Sequence, residues 1–362
     1  MIRLRPALGD VAPYVPGRSR PVVAAAVEQA LDVARLASNE SPYPPAAPVL
    51  EAISAAVAGL NRYPDDDAAG LVAALAAEHG VDAAMVAVGN GSSELLARFA
   101  LATCDAGDNA VFAWPSFVMY PILAQLTGAE ARRVPLVGGR HDLAAMAAAV
   151  DTRTRIVFVC TPNNPTGCAV GAAELAGFLD AVPDDVLVVL DEAYAEYVDA
   201  AADPRVHADG IASVVAGGSH PNVVVLRTFS KAYGLAGLRC GYAVGDADVL
   251  AQLGKARLPF VVNSLAQRAA VAALSHKAEC LGPVAEAVAE RGRVAAALAA
   301  AGVESPRSHG NFVWLDVPGR AREVAAACER AGVLVRALGS DGVRVTIGTP
   351  PENDRFLDSL PL

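Results

Sequence analysis

The sequence predicts an α/β protein in which a mostly parallel sheet carries helices on both faces and a smaller C-terminal α/β unit follows. Two observations lead there. Six short runs rich in Val, Ile and Leu (85–88, 109–113, 156–160, 186–190, 223–226 and 241–244) alternate with segments that read as helices. Near-continuous apolar strands of this kind belong to parallel sheets covered on both sides. Three of the runs also deliver a polar group at their carboxyl ends. The run 156–160 enters T-P-N-N-P-T-G with Asn164, 186–190 enters D-E-A-Y with Asp191, and 223–226 enters T-F-S-K-A-Y-G-L-A-G-L-R with Lys231. In an open α/β sheet that edge is where ligands bind.

Taken in order, residues 1–40 are rich in proline and arginine and weakly periodic, which suits an extended arm. A helix is predicted over 48–59, a turn at N-R-Y-P-D-D-D, and a second helix over 68–79. The strand, loop and helix pattern then fills a large unit over 41–265. Residues 266–298 read as largely helical and open the smaller unit, 266–362, against which the arm is expected to pack. That unit reads as strand 312–317, helix 321–331, strands 333–336 and 343–347, and a last helix opened by Pro350 and Pro351. No internal repeat or low-complexity linker separates the units, so they are expected to share an interface.

Composition narrows the function. Of 362 residues 54% are hydrophobic and 19% charged, the mark of a compact globular chain. A formal charge of −10 and the absence of a basic run argue against nucleic acid as partner. The start, M-I-R-L-R-P-A-L-G-D, lacks the apolar stretch of a signal peptide, and no uncharged run approaches a membrane span of ~20 residues. Six cysteines lie scattered at 104, 160, 168, 240, 280 and 328 without C-x-x-C, and six histidines without H-E-x-x-H. The expectation is reduced, buried thiols in the cytoplasm and no metal site.

The chemistry sits in four stretches, one of them the T-P-N-N-P-T-G loop that carries Asn164. Lys231 is followed eight residues later by Arg239, and a desolvated amine beside a second cation loses proton affinity and becomes a usable nucleophile. G-N-G-S-S-E, at a predicted helix start, offers backbone N–H groups to a phosphate through Ser92 and Ser93. It is no dinucleotide fingerprint, because Glu94 stands where the third glycine would be. V-L-V-V-L-D-E resembles a Walker B strand, but the single Gly-Lys pair, Gly254-Lys255, is followed by Ala256, so no P-loop accompanies it. Each stretch alone could be a capped helix or a turn. Together, a phosphate cradle, a carboxylate, an amide and a lysine are the parts that pyridoxal 5′-phosphate requires.

With those motifs in place the chain resembles the fold-type I pyridoxal-phosphate aminotransferases, within them the group of histidinol-phosphate and actinobacterial aromatic aminotransferases. The resemblance runs from A-P-Y-V-P-G-R to T-I-G-T-P-P-E-N-D. It implies a large domain with a seven-stranded, mostly parallel sheet and a small α/β domain. It implies that Lys231 bonds to the cofactor aldehyde, that Asp191 pairs with the pyridine nitrogen, and that Tyr194 and Asn164 hydrogen-bond the phenolic oxygen. Ser92, Ser93, Thr228 or Ser230, and Arg239 would hold the phosphate, and Phe117 would stack on the ring. Arg344 would grip the substrate α-carboxylate as a bidentate fork. Tyr14, Asn39 and Arg336 would face the substrate, and Tyr63 would reach the phosphate of a neighbouring subunit, making a homodimer part of the site.

The implied reaction is a ping-pong transamination in which Lys231 carries the proton between carbon centres. The donor is left between two readings. Ser93, Phe117 and Phe260 stand where histidinol-phosphate enzymes usually carry more polar groups, which favours phenylalanine or tyrosine with 2-oxoglutarate as acceptor. G-N-G-S-S-E-L and T-I-G-T-P-P-E-N-D look closer to histidinol-phosphate enzymes, and Arg336 is compatible with either. A decarboxylase or C–C lyase of the same fold would be expected to lack the Arg344 grip, and a transcriptional regulator would need a basic extension.

Overall fold

The computed structural model describes residues 6–9, 11, 14, 33–198 and 207–361. Its strands are β1 (Ala34–Arg35), β2 (Val86–Gly89), β3 (Asn109–Trp114), β4 (Glu130–Pro135), β5 (Thr154–Cys160), β6 (Leu187–Asp191), β7 (Val223–Thr228), β8 (Gly241–Gly245), β9 (Phe312–Asp316), β10 (Val333–Leu334), β11 (Arg336–Leu338) and β12 (Gly342–Thr346). Seven of them form one sheet in the order β2-β8-β7-β6-β5-β3-β4. Pairing is parallel from β7 through to β4, and β8 runs antiparallel to both of its neighbours.

The apolar runs have no polar face because each face has its own core. Val157, Val159, Val188, Leu190, Val223 and Val225 point one way, and Ile156, Phe158, Leu187, Val189, Val224 and Leu226 the other, as a period of two requires. Helix Ser92–Thr103 covers the second face through Leu95, Leu96 and Phe99, joined by helix Met119–Thr127 through Tyr120 and Leu123. Leu71 and Leu75 of helix Ala69–His79 help to cover the first. Each fully buried Leu or Phe here contributes roughly 1.5–3 kcal/mol.

The small unit has a core of its own. The antiparallel sheet β11-β12-β9 packs Val313, Leu315, Val343 and Val345 against Val294 and Leu298 of helix Gly282–Ala300 and Phe356 of helix Pro350–Asp358. Ala34 and Leu36 are inserted in the same core, and β1 pairs with β10. The rest of the arm predicted over 1–40 lies outside the described residues, apart from 6–9, 11, 14 and the stretch from 33 on.

Three expectations need correction. β4 was not read as a strand, because it carries Glu130, Arg132 and Arg133 and buries only Val134; as an edge strand paired with β3 alone it tolerates charge. The single strand expected over 333–336 is two short ones, β10 against β1 and β11 against β12. Helix Ser264–Ser275, assigned by sequence mostly to the small unit, packs on helices Ala47–Ala56 and Ala69–His79 instead. Its Ala266, Ala269, Ala270 and Ala273 sit in the large unit's core, where small side chains allow close approach. Among the described residues no helix is long and apolar enough to cross a membrane.

Candidate active site

β5, β6 and β7 end together at Cys160, Asp191 and Thr228, and the reversed β8 brings Arg239, just ahead of its first residue, to the same edge. A cavity of about 190 Å³ opens there, between the sheet edge and the small unit. It is lined by all the residues that the sequence assigned to cofactor or substrate except Asn39, Tyr63 and Phe260.

One end of the cavity is built for an anion. Helix Ser92–Thr103 starts after Gly91, whose φ is +78°. A Cβ on Gly91 would stand 2.4 Å from Arg239 Nη2, and one on Gly241 would stand 2.4 Å from the Ser92 nitrogen. Glycine at both positions lets the guanidinium close on the first helical turn. Arg239 donates to Ser230 Oγ at 3.3 Å, and Thr228 Oγ1 donates to the same oxygen at 3.0 Å. Helix-start N–H groups, hydroxyls and a fixed cation converge, which is how proteins hold phosphate.

Asp191 faces the middle of the cavity. Its Oδ2 accepts a hydrogen bond from the Tyr120 hydroxyl at 2.7 Å, whereas Oδ1 is buried without a partner. Burial raises the carboxyl pKa, opposed by the Tyr120 hydroxyl, the Ala193 N–H and the charge of Lys231. A carboxylate in that state is completed by a cationic N–H donor.

Lys231 Nζ lies 6.0 Å from the centre of the Tyr194 ring and donates to the Ser38 carbonyl at 3.0 Å. Burial lowers its pKa to about 7, and Arg344 and then Arg239 add to the effect against Glu40 and Asp191. Sequence pointed to Arg239 as the neighbouring cation; the small unit's Arg344 contributes more.

Arg344, on β12, donates from Nη1 to Asn164 Oδ1 and from Nη2 to the Ala37 carbonyl, each at 2.6 Å. Its Nε is buried without a partner. With its oxygen engaged, Asn164 keeps its amide nitrogen, a donor, for a ligand oxygen. Tyr194 is held by Asn39, which donates from Nδ2 to the phenol oxygen at 2.9 Å. Asn39 adopts φ +54° and is clamped by Thr346 at 2.9 and 3.0 Å. Asn39 thus touches Tyr194 and does not itself line the cavity. Phe117 meets Tyr120 edge to face at 5.7 Å, and Tyr14 and Arg336 also line the cavity.

Two aromatic residues are elsewhere. Tyr63 is 81% exposed and stacks on Phe260 at 4.4 Å, outside this cavity. Phe260 was expected to line the substrate pocket, but its positive φ of 54° and its backbone bond to Asp66 hold it in the outer loop. Sequence reasoning missed Tyr120, Ser38, Val118, Cys160 and Leu338. Tyr120 lies three residues past Phe117 on the next helix, which is a signal only after the fold is known.

Residues 32–360 match the family model for aminotransferase class I and II, and the chain belongs to that family. It is 50% identical over 356 residues to the aromatic amino acid aminotransferase of Rhodococcus opacus, covering 98% of this chain and 94% of that protein. It is 52% identical over 354 residues to the enzyme of the same name from Thermobifida fusca, covering 98% and 95%. The solved histidinol-phosphate aminotransferase of Sinorhizobium meliloti, in complex with pyridoxal-5′-phosphate, superposes with a TM-score of 0.87 at 28% identity, covering 100% of this chain and 97% of that one.

Proposed function

We propose that this chain binds pyridoxal 5′-phosphate and moves an amino group between an aromatic amino acid, phenylalanine or tyrosine, and 2-oxoglutarate. The observation that carries the cofactor reading is the Asp191 oxygen left buried and unpartnered in a cavity that also holds a low-pKa lysine and an anion cradle. The residues present fit the cofactor. Ser92, Ser93, Thr228, Ser230 and Arg239 would take its phosphate, Asp191 its pyridine nitrogen, Tyr194 and Asn164 its phenolic oxygen, Phe117 its ring face, and Lys231 its aldehyde carbon. When bound, the group supplies an electron sink for the bonds at the substrate Cα.

The chain's own residues supply the rest. Lys231, with a pKa near 7, accepts and returns a proton near neutral pH. Asp191 holds a positive charge on the ring nitrogen in a site of low dielectric. Arg344 spends one N–H of Nη1 on Asn164 and one of Nη2 on Ala37, which leaves the second N–H of each and an unpartnered Nε for the α-carboxylate.

For the donor, two relatives at about 50% identity carry the aromatic name, and Phe117, Val118 and Leu338 give the cavity apolar walls. Arg336 beside Leu338 supports histidinol phosphate as the second reading, because a guanidinium also binds phosphate. Comparative kinetics decide between them. With 2-oxoglutarate as acceptor, phenylalanine is expected to have the higher kcat/KM. A preference for histidinol phosphate beyond about tenfold, ~1.4 kcal/mol, reverses the assignment.

We also propose a homodimer in the cytoplasm. Leu50, Val57, Leu60, Tyr63, Leu258 and Phe260 are exposed, Tyr63 stacking on Phe260, and exposed apolar side chains of this kind are what a second copy would cover. All six thiols are buried and unpaired, which suits a reducing compartment. Sedimentation is expected at twice the chain mass; a monomer at micromolar concentration would refute the dimer.

A further inference from the structure

We propose that Tyr120 is a positioning residue that sets the state of Asp191, pinning one carboxylate oxygen so that the other faces the cofactor nitrogen charged and unshared. The inference rests on the cofactor reading above. Tyr120 is fully buried on helix Met119–Thr127 and lies flat against Phe158, with ring centres 4.6 Å apart and planes 5° from parallel. Phe112 and Phe117 meet it at 5.9 and 5.7 Å, so the ring is held on three sides. Only its hydroxyl end is polar, and that end meets Asp191 Oδ2 at 2.7 Å.

The hydroxyl is the donor in this pair. Burial and the neighbouring Asp191 charge push the phenol pKa well above its ordinary value, so the proton stays on Tyr120. The other groups that face this pair include the Ala193 N–H, Lys231, the Tyr194 phenol and the Cys160 thiol. Burial raises the Cys160 thiol too, so it also remains protonated. Without the Tyr120 hydroxyl, Oδ2 would join Oδ1 in lacking a side-chain partner, and the carboxylate would gain proton affinity. Asp191 would then compete with the ring nitrogen for the proton that it is there to stabilise.

The test uses the protein loaded with pyridoxal phosphate as wild type, Tyr120→Phe, Asp191→Asn and the double variant. Ring-nitrogen protonation is read by nitrogen-15 chemical shift of labelled cofactor, alongside kcat and KM. Tyr120→Phe is expected to keep borohydride labelling at Lys231 and to shift the nitrogen signal toward the unprotonated form. It should lower kcat roughly ten- to hundredfold, the worth of a hydrogen bond to a charged group, with KM little changed. In the Asp191→Asn background the same substitution should add almost nothing. The double variant has no buried charge to strand, so it serves even if the single variant does not fold. A wild-type nitrogen signal in Tyr120→Phe, or a further shift in the double variant beyond Asp191→Asn, overturns the assignment. Failure of wild type to label at Lys231 instead removes the cofactor reading, and this proposal with it.

Discussion

Replacing Lys231 by alanine is expected to abolish turnover while leaving the fold and the phosphate cradle in place. The cradle is formed by Arg239, Ser230 and the helix after Gly91, and Lys231 contributes nothing to those bonds. In the proposed reaction its amine carries the proton transfer, and losing a general acid–base group alone lowers rate roughly 10²–10⁴-fold. Loss of the covalent attachment point adds to that. Borohydride reduction followed by peptide mapping should place a pyridoxyl mass on Lys231 in wild type and on no lysine in the variant. The substitution also has a signature in cofactor-free protein. The folded pKa of about 7 lies below the ordinary value of 10.5. Between those values the unfolded chain binds more protons, so stability rises with pH across that window. The alanine variant should lack that slope in melting curves taken from pH 6 to 10. A variant with turnover within tenfold of wild type would remove Lys231 from the mechanism.

What the sequence reveals here follows from what side chains write into a pattern. β5, β6 and β7 are legible because each is apolar on both faces, and Asn164, Asp191 and Lys231 are legible because each follows such a run. β4 is not, since an edge strand with Arg132 and Arg133 obeys no apolar rule. Motif spacing places Arg239 on the phosphate side, but it cannot show that Arg344, 113 positions away from Lys231 in the small unit, does more to lower the lysine pKa. The carbonyls of Ala37 and Ser38, which hold Arg344 and Lys231, leave no mark in any sequence. Tyr120 is hidden for a related reason. Its role lies in one contact to a residue 71 positions on, and by itself it reads as a core tyrosine.

Asp191→Asn is expected to separate stability from activity in opposite directions. Asparagine keeps an oxygen for the Tyr120 hydroxyl but carries no charge to hold the ring-nitrogen proton. A loss of roughly 10²–10³-fold in kcat is expected, the usual effect of removing a preorganised electrostatic group. Without cofactor the same change should stabilise the fold at neutral pH. Burial holds the folded carboxyl above its ordinary value of 3.8. Above that value the folded chain binds more protons than the unfolded one, so this group's contribution falls as pH rises. Wild type carries that penalty at pH 7 and asparagine does not. Cofactor-free Asp191→Asn should therefore melt higher than wild type at pH 7, with the difference closing as pH falls toward 4. Adding pyridoxal phosphate should reverse the order, because a cationic N–H opposite Oδ1 pairs with the wild-type carboxylate and stabilises the state that binds it. Equal melting of the two cofactor-free proteins at both pH values would show that the buried charge is solvated by something other than the cofactor. The orphaned oxygen would then no longer point to a bound pyridine.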